Sequence, residues 1–260
     1  MDLARGGPKG DERRRRWPSV AAAALGAPVL VIGTAHVIDL AGPLRSVLGD
    51  RPLDGIAVEL DAERAPAVLG PKPAGGRARD VPLFARLWGL LQRRLGAELG
   101  GGAPGAEMRA AADVARARGL PLFLIDDPIR ATLARLLATM PFKERVTLVA
   151  GAVVGLFVPA RVVSGQLEHY VDEPTEMIAE LRRASPTIAR VLIDERNEHM
   201  ADRVATIRAR GAGRLAVVVG DAHVTGLRIA LGQRGVPTEG LPFRDLRGLR
   251  GPSSSPSSPR

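Results

Sequence analysis

Two of the four histidines lie in nearly identical sequence contexts, which makes them the first candidates for chemistry. Residues 29–37 read VLVIGTAHV, and residues 217–224 read VVVGDAHV. Each apolar run is typical of a buried strand, and the glycine after it lets the chain turn sharply as it leaves the sheet. Ligands of open α/β sheets bind beyond the carboxyl ends of the strands. We therefore predict that His36 and His223 converge on one point if their strands are neighbours. Gly33 and Gly220 would line the same pocket.

Two imidazoles and a carboxylate suit a divalent transition metal such as zinc, manganese or cobalt. Glu59 is the candidate carboxylate because it lies in the apolar run 56–60, where a buried charge needs a metal or an opposite charge. It is either the third metal ligand or the base that activates a metal-bound water. Two simpler alternatives stay open: strand-end histidines that hydrogen-bond to loops, and an ion pair between Glu59 and Arg64.

Two other segments contain acidic residues that are candidates for the same site. Asp126 follows the apolar run 120–125 and precedes Asp127 and Pro128. These acids either belong to a site at the carboxyl end of the strand or cap the helix that Pro128 begins. Glu107 opens a predicted helix over Ala106–Arg118, where the helix dipole favours a carboxylate in any case.

Arg196 occupies an apolar ridge of a predicted helix over Thr187–Arg210. Apolar residues recur every four positions on this ridge, at Ile188, Leu192, Met200 and Val204. A guanidinium within such a stripe needs a buried anionic partner. The candidates are Glu59, Asp126 and a carboxylate of a substrate.

Four short apolar runs predict the strands of an α/β fold. They are Val29–Ile32, Ile56–Leu60, Leu120–Ile125 and Leu215–Val219. Because each run is nearly continuously apolar, we expect a central sheet buried on both faces and flanked by helices. A large helical insertion is predicted over residues 131–211, and a long amphipathic helix over Val81–Leu99.

The two ends of the chain have the composition of disordered segments and carry most of its net charge. Residues 1–27 form a basic leader and residues 244–260 a Ser/Pro tail, which leaves a folded domain over 28–243. Residues 1–20 hold six basic and three acidic side chains, and residues 244–260 hold four and one, so they carry +6 of the net +9. The folded part is therefore nearly neutral, and with 3% aromatic residues we expect no nucleic-acid binding.

The composition and motifs exclude several classes of protein. The chain has no cysteine, which excludes thiolate catalysis and disulfides and fits a reducing compartment. No phosphate-binding GxGxxG or P-loop follows a strand. The most apolar window, residues 146–160, is shorter than the roughly 20 residues that span a bilayer. We expect a cytoplasmic protein without a transmembrane segment. Whether the basic run at residues 13–16 contacts a membrane surface stays open. A homodimer is one option for the assembly of the protein.

Together these residues resemble the TraB family, which includes the bacterial pheromone-shutdown proteins and the animal Tiki proteins. The resemblance runs from Val29 to Pro237 and rests on six motifs in order. They are GTAH at 33–36, VELD at 58–61 with Arg64, GAEM at 105–108 with Ala111, LID at 124–126 with Thr132 and Leu133, LIDERN at 192–197, and VGDAH at 219–223 with Gly226. The chain departs from the family pattern at Asp127, where arginine is usual, and at His199, where an aromatic residue is common.

The resemblance implies a fold shared with Tiki and with the erythromycin esterase and ChaN-like proteins, and a metal-dependent peptidase activity. It assigns the metal to His36, His223 and Glu59. The residues that it places around the metal are Arg64, Glu107, Asp126 and Arg196.

Two functional hypotheses follow from the residues and the resemblance together. The first is a metal-dependent hydrolase acting on a peptide or other small substrate. Glu59 or Glu107 would act as base, and Arg196 or Arg64 would stabilise the developing oxyanion. The second is a non-catalytic protein that sequesters a peptide or cofactor in the same pocket, as a pheromone-shutdown role requires.

Overall fold

A computed structural model describes residues 26–35, 40–70, 105–147 and 174–249. Within these ranges, parallel strands form one five-stranded sheet in the order β3-β2-β4-β1-β5. The strands are β1 Val29–Thr34, β2 Gly55–Val58, β3 Leu122–Leu124, β4 Leu215–Gly220 and β5 Thr238–Leu241. The predicted α/β fold is confirmed.

Helices flank this sheet and also fill most of what is described between residues 129 and 209. They are α1 Ala41–Asp50, α2 Ala65–Leu69, α3 Ala106–Ala117, α4 Ile129–Thr139, α5 Pro174–Ala184, α6 Pro186–Ala189, α7 Glu195–Ala209, α8 Asp221–Gln233 and α9 Phe243–Gly248, with a π-helical segment Arg190–Asp194 between α6 and α7. Among the described residues, no helix has both the length and the apolar character needed to cross a membrane.

The central strands β1, β2 and β4 are apolar on both faces because helices cover both faces. Leu30 and Ile32 of β1 pack in one core with side chains of α1, α3 and α9. Val29 and Val31 point the other way, into a second core with α7 and α8. Since successive side chains of a strand alternate between faces, a sheet covered twice needs an unbroken apolar run. This is the pattern that the sequence shows.

The two strands that carry the matched histidine motifs lie side by side at the centre of the sheet. β1 and β4 are parallel neighbours, and Thr34 lies opposite Gly220 at their carboxyl ends. Both motifs therefore leave the sheet at the same edge. His36 itself, like the predicted helix Val81–Leu99, lies outside the described residues.

The structure differs from the sequence prediction at several element boundaries and by one additional strand. β2 ends at Val58, so Glu59 lies just beyond the strand rather than within it. The edge strand β5 reads TEGL and was not predicted, because it has neither an apolar run nor a clean alternation. The fold also continues past residue 243 into the predicted tail, since α9 buries Phe243 and Leu246 against the sheet.

Leu44 tests whether the core beneath α1 carries the stability of this fold. Leu44 is fully buried in the core that includes β1 and β2. We expect Leu44→Ala to lower the free energy of unfolding by about 2–5 kcal/mol, because it removes buried surface and leaves a cavity. Leu137→Ala is the matched control, since Leu137 is 62% exposed and its loss is expected to cost less than about 0.5 kcal/mol. Urea unfolding of both variants measures the difference, and equal losses would contradict the assigned core.

Candidate functional site

Acidic, basic and histidine side chains from four segments meet at the carboxyl edge of the sheet. They follow β2 and β3, begin α8 and extend from α7, and we call this set the edge cluster: Glu59, Asp61, Arg64, Asp126, Arg196 and His223. All of these residues except Asp61 were predicted to lie at the site. Because parallel strands end at one edge, residues far apart in the sequence come together here.

Arg196 is the central cation of the edge cluster. Its Nε donates to Asp126 Oδ1 over 3.0 Å, its Nη2 donates to Asp126 Oδ2 over 2.7 Å, and Nη2 also donates to Glu59 Oε1. Nη1 donates to the Leu192 carbonyl over 3.2 Å and lies 3.1 Å from His223 Nε2. The buried anionic partner that the helix pattern required is therefore supplied by Glu59 and Asp126 together.

The charge on Arg196 is held by these carboxylates. Burial lowers the pKa of the guanidinium, but Glu59 and Asp126 outweigh burial and leave its pKa above the usual value. Only 13% of the Arg196 side chain is exposed. A buried cation with two carboxylate partners on one side is a fixed, strongly polar group next to any ligand at this edge.

A local change of helix type precedes Arg196. The sequence predicts one continuous helix over Thr187–Arg210, but residues Arg190–Asp194 form a π-helical turn. In this turn the Glu195 N–H donates to the backbone carbonyl oxygen of Arg190. Such turns insert one extra residue and are frequent at functional sites. The four-residue spacing of the apolar ridge does not predict this change of helix type.

Glu59 joins the end of β2 to the end of β4. Its Oε2 accepts a hydrogen bond from the Gly220 N–H over 2.6 Å, and its Oε1 lies 3.5 Å from His223 Nε2. Gly220 is the last residue of β4, at the turn into α8. Gly220, which was predicted to line the pocket, thus orients Glu59 through its backbone N–H.

Arg64 pairs with two aspartates rather than forming the suggested ion pair with Glu59. Its Nε donates to Asp61 Oδ2 over 2.5 Å, and its Nη2 donates to Asp126 Oδ2. Asp61 Oδ1 in turn accepts the N–H groups of Glu63 and Arg64 over 2.7 and 2.9 Å. Burial raises the pKa of Asp61, but the hydrogen bonds from Arg64 and Glu63 outweigh burial and place its pKa below the usual value.

Asp126 is the residue on which both arginines meet. It is buried, and α4 begins at Ile129 without a side-chain capping bond. The structure therefore shows no side-chain cap at α4 and places Asp126 in the edge cluster, and its functional role stays a prediction. Asp127, in contrast, lies 3.1 Å from His199 Nε2 and 3.6 Å from Arg135 at the surface of the helical region.

Gly33 marks a close approach between the two histidine motifs. A Cβ atom at position 33 would lie 1.8 Å from Asp221 Oδ1, so only glycine fits. Asp221 Oδ1 also accepts the Phe243 N–H over 2.8 Å. Burial of Asp221 raises the pKa of its carboxyl group. Asp221 was not singled out from the sequence, although it lies between Gly220 and His223 in the second motif.

Glu107 is buried in the first turn of α3, a helix that packs against β2. Its predicted role as a base stays a prediction.

His223 is also buried, and its Nδ1 lies 2.8 Å from Asn197 Oδ1. Asn197 was noted only as part of a motif, and its contact with His223 could not be read from the sequence.

Two described donors, one nitrogen and one oxygen, are of the type and at the separation that a divalent metal uses. Two ligands at 2.0–2.1 Å from a tetrahedral ion are about 3.4 Å apart, and His223 Nε2 and Glu59 Oε1 are 3.5 Å apart. Both atoms also contact Arg196 in the structure. The residues that the structure describes contain no group of three or more histidine or acidic side chains placed to hold a metal. The third predicted ligand, His36, lies outside them.

The fold and this edge define an α/β protein with a polar site at the carboxyl ends of a parallel sheet. The chain belongs to the TraB/PrgY/gumN family, whose model matches residues 20–236. It is 32% identical over 208 residues to the uncharacterized protein MJ1365 of Methanocaldococcus jannaschii. That match covers 76% of this chain and 52% of the relative, so the chain spans about half the length of the curated relative that it matches.

Asp126 tests whether the edge cluster is a coupled unit. Asp126→Asn removes the charge that both Arg64 and Arg196 contact. We expect a loss of about 1.5–3 kcal/mol in the free energy of unfolding, because both arginines lose a charged acceptor while Glu59 and Asp61 remain as their other partners. Asp113→Asn removes one partner of the exposed Arg116–Asp113 pair and is expected to cost less than about 1 kcal/mol. Urea unfolding at neutral pH compares them, and a loss as small as that of the control would contradict the assignment.

The lowered pKa of Asp61 predicts a pH dependence of stability. Because its pKa is lower in the folded chain, the charged carboxylate stabilises the fold above its unfolded value of about 3.9. That contribution is lost as the pH falls through the folded value. We therefore expect the stability difference between wild type and Asp61→Asn to be constant above about pH 5 and to shrink below about pH 4. Unfolding measured at each pH tests this, and a difference that does not change with pH would exclude it.

Proposed function

We propose that the chain is a metal-dependent hydrolase that acts on a peptide at the edge cluster. The observation that carries the proposal is the pair formed by His223 Nε2 and Glu59 Oε1, 3.5 Å apart beyond the ends of β4 and β2. This is the donor chemistry and the spacing that a divalent ion uses. β1 lies next to β4 and ends at Thr34, two positions before His36 in the sequence.

His36, His223 and Glu59 would hold the ion, which we propose is manganese, cobalt or zinc. When bound, such an ion supplies Lewis acidity to a carbonyl oxygen and makes a water molecule more acidic. Gly220 orients Glu59 by donating its N–H to Oε2. Glu59 is thereby held with one oxygen fixed and the other directed towards His223, as a ligand or base requires.

Arg196 would stabilise negative charge that develops on the substrate. Asp126 holds its Nε and Nη2 from one side, so the guanidinium cannot rotate freely. Its Nη1 contacts a backbone carbonyl and His223. In the proposed function this nitrogen would donate to a substrate oxygen in place of His223. A preorganised donor of this kind in a buried site is a strong source of transition-state stabilisation. Arg64, whose side chain is 33% exposed, lies nearer to solvent and is the second candidate.

The alternative function, a binder that sequesters a peptide or cofactor, is favoured by one observation. Arg196 contacts both His223 Nε2 and Glu59 Oε1, so the polar atoms of the edge cluster have partners without an ion. A protein that only binds needs a shaped pocket, whereas the hydrolase needs an ion with an open coordination position. Metal content therefore separates the two functions.

The experiment measures metal content by elemental mass spectrometry on the chain purified without a metal-affinity step. We expect about one ion per chain in wild type, and loss of at least about 90% of it in His36→Ala and in His223→Ala, because each removes a ligand. His199→Ala is the matched control, since His199 pairs with Asp127 and Arg203 on the exposed side of α7. It should keep the metal content of wild type.

A peptide-hydrolysis screen with the loaded wild type follows a positive result, with the same three variants beside it. Cleavage by wild type and His199→Ala, but not by His36→Ala or His223→Ala, would support the hydrolase. Wild type that stays free of metal after dialysis against manganese, cobalt and zinc would overturn it and leave the binder.

A further inference from the structure

We infer that Asn197, packed against Gly226, is a positioning residue that sets which ring nitrogen of His223 carries the hydrogen. The inference deepens the proposed function, because it names what prepares His223 for its role at the edge cluster. It is argued from contacts on α7 and α8 alone.

The hydrogen on the His223 ring can be placed from its partners. Arg196 has only donors and keeps its proton in proteins. Arg196 Nη1, which can only donate, lies 3.1 Å from His223 Nε2, whereas the acceptor Glu59 Oε1 lies 3.5 Å away, beyond the usual hydrogen-bond range. That ring nitrogen therefore accepts, and it carries a lone pair. The hydrogen of the neutral ring is then on Nδ1. Nδ1 lies 2.8 Å from Asn197 Oδ1, which accepts it.

The orientation of the Asn197 amide follows from the same chain of contacts. With Oδ1 facing His223, the amide nitrogen Nδ2 faces helix α8. A Cβ atom at position 226 would lie 2.2 Å from that Nδ2 and 3.1 Å from the Asn197 Cγ. Asn197 is buried, so it has little room to move away. Glycine at position 226 is therefore what lets Asn197 reach His223.

Helix propensity alone would disfavour glycine at position 226. Gly226 lies in the middle of α8, where glycine is less stable than alanine. Gly232 lies in the same helix, and a Cβ atom there would meet nothing within 4 Å. The two glycines thus separate the effect of helix propensity from the effect of contact with Asn197.

The ring state that Asn197 imposes is also the one that the proposed function needs. A metal ion binds a histidine nitrogen through its lone pair, and the other nitrogen then donates its hydrogen to an oxygen. The pair of His223 and Asn197 already has this arrangement. A hydrogen on Nε2 instead would face the Arg196 donors and offer no lone pair to an ion.

The test is nuclear magnetic resonance of the full chain, labelled with nitrogen-15 in histidine and treated with a chelator. The chain has four histidines, and the signals of His223 are those missing from His223→Ala. In wild type we expect the hydrogen on Nδ1 and slow exchange of that hydrogen with water. Asn197→Asp should preserve both, because a carboxylate oxygen accepts the same hydrogen. Asn197→Leu should accelerate the exchange by at least about tenfold, as expected for loss of one hydrogen bond.

Gly226→Ala should reproduce the effect of Asn197→Leu although it keeps Asn197, whereas Gly232→Ala should match wild type. Circular dichroism confirms that each variant is folded. A hydrogen on Nε2 in wild type would overturn the inference, as would unchanged exchange in Asn197→Leu or in Gly226→Ala. Because the chain is measured free of metal, these outcomes are independent of metal content and of hydrolysis. A failure of the proposed function therefore leaves this result unaffected.

Discussion

The edge cluster depends on one buried cation. Arg196 cannot lose its proton where it lies, so carboxylates must neutralise it there. Asp126 contacts two of its nitrogens and Glu59 shares one of them. These carboxylates follow β3 and β2, while the arginine extends from α7 on one face of the sheet, so the ion pairs fix that helix relative to the strand ends. Replacing buried ion pairs by apolar side chains of similar size often leaves the stability of a fold unchanged or raises it. The cluster is therefore better explained by a task at this edge than by stability.

Several features around His223 are also unfavourable for stability. Gly226 weakens the middle of α8, and burial raises the pKa of Asp221 at the start of the same helix. The π-helical turn before Arg196 interrupts regular hydrogen bonding. Natural proteins tolerate local conflicts of this kind mainly where function requires them. Here they fall on the two helices, α7 and α8, that supply Arg196, Asn197 and His223.

The sequence predicts most of the fold and a large part of the site, for reasons that are physical. Continuous apolar runs identify the strands that are covered on both faces, and the repeated Gly-x-Ala-His step identifies two of their ends. Arg196 is predictable because a charge on an apolar ridge demands a partner. The edge strand β5 is not predictable, since half-exposed polar strands have no periodic signal. The partners of Arg64 and of Asn197 are not predictable either, because they depend on how α7, α8 and the strand ends pack in three dimensions.

The charge balance of the edge cluster bears on which ligand it can take. Three carboxylates, Glu59, Asp61 and Asp126, contact two guanidinium groups, Arg64 and Arg196. The carboxylates of the edge cluster therefore outnumber its guanidinium groups by one. An anionic ligand would have to displace a carboxylate from an arginine and leave that carboxylate buried without a partner. The proposed divalent cation would instead be attracted by the excess carboxylate. Arg196 would remain bound to Asp126 when the contact between Arg196 and His223 is released. This difference is a reason to propose a cation rather than an anion as the added ligand.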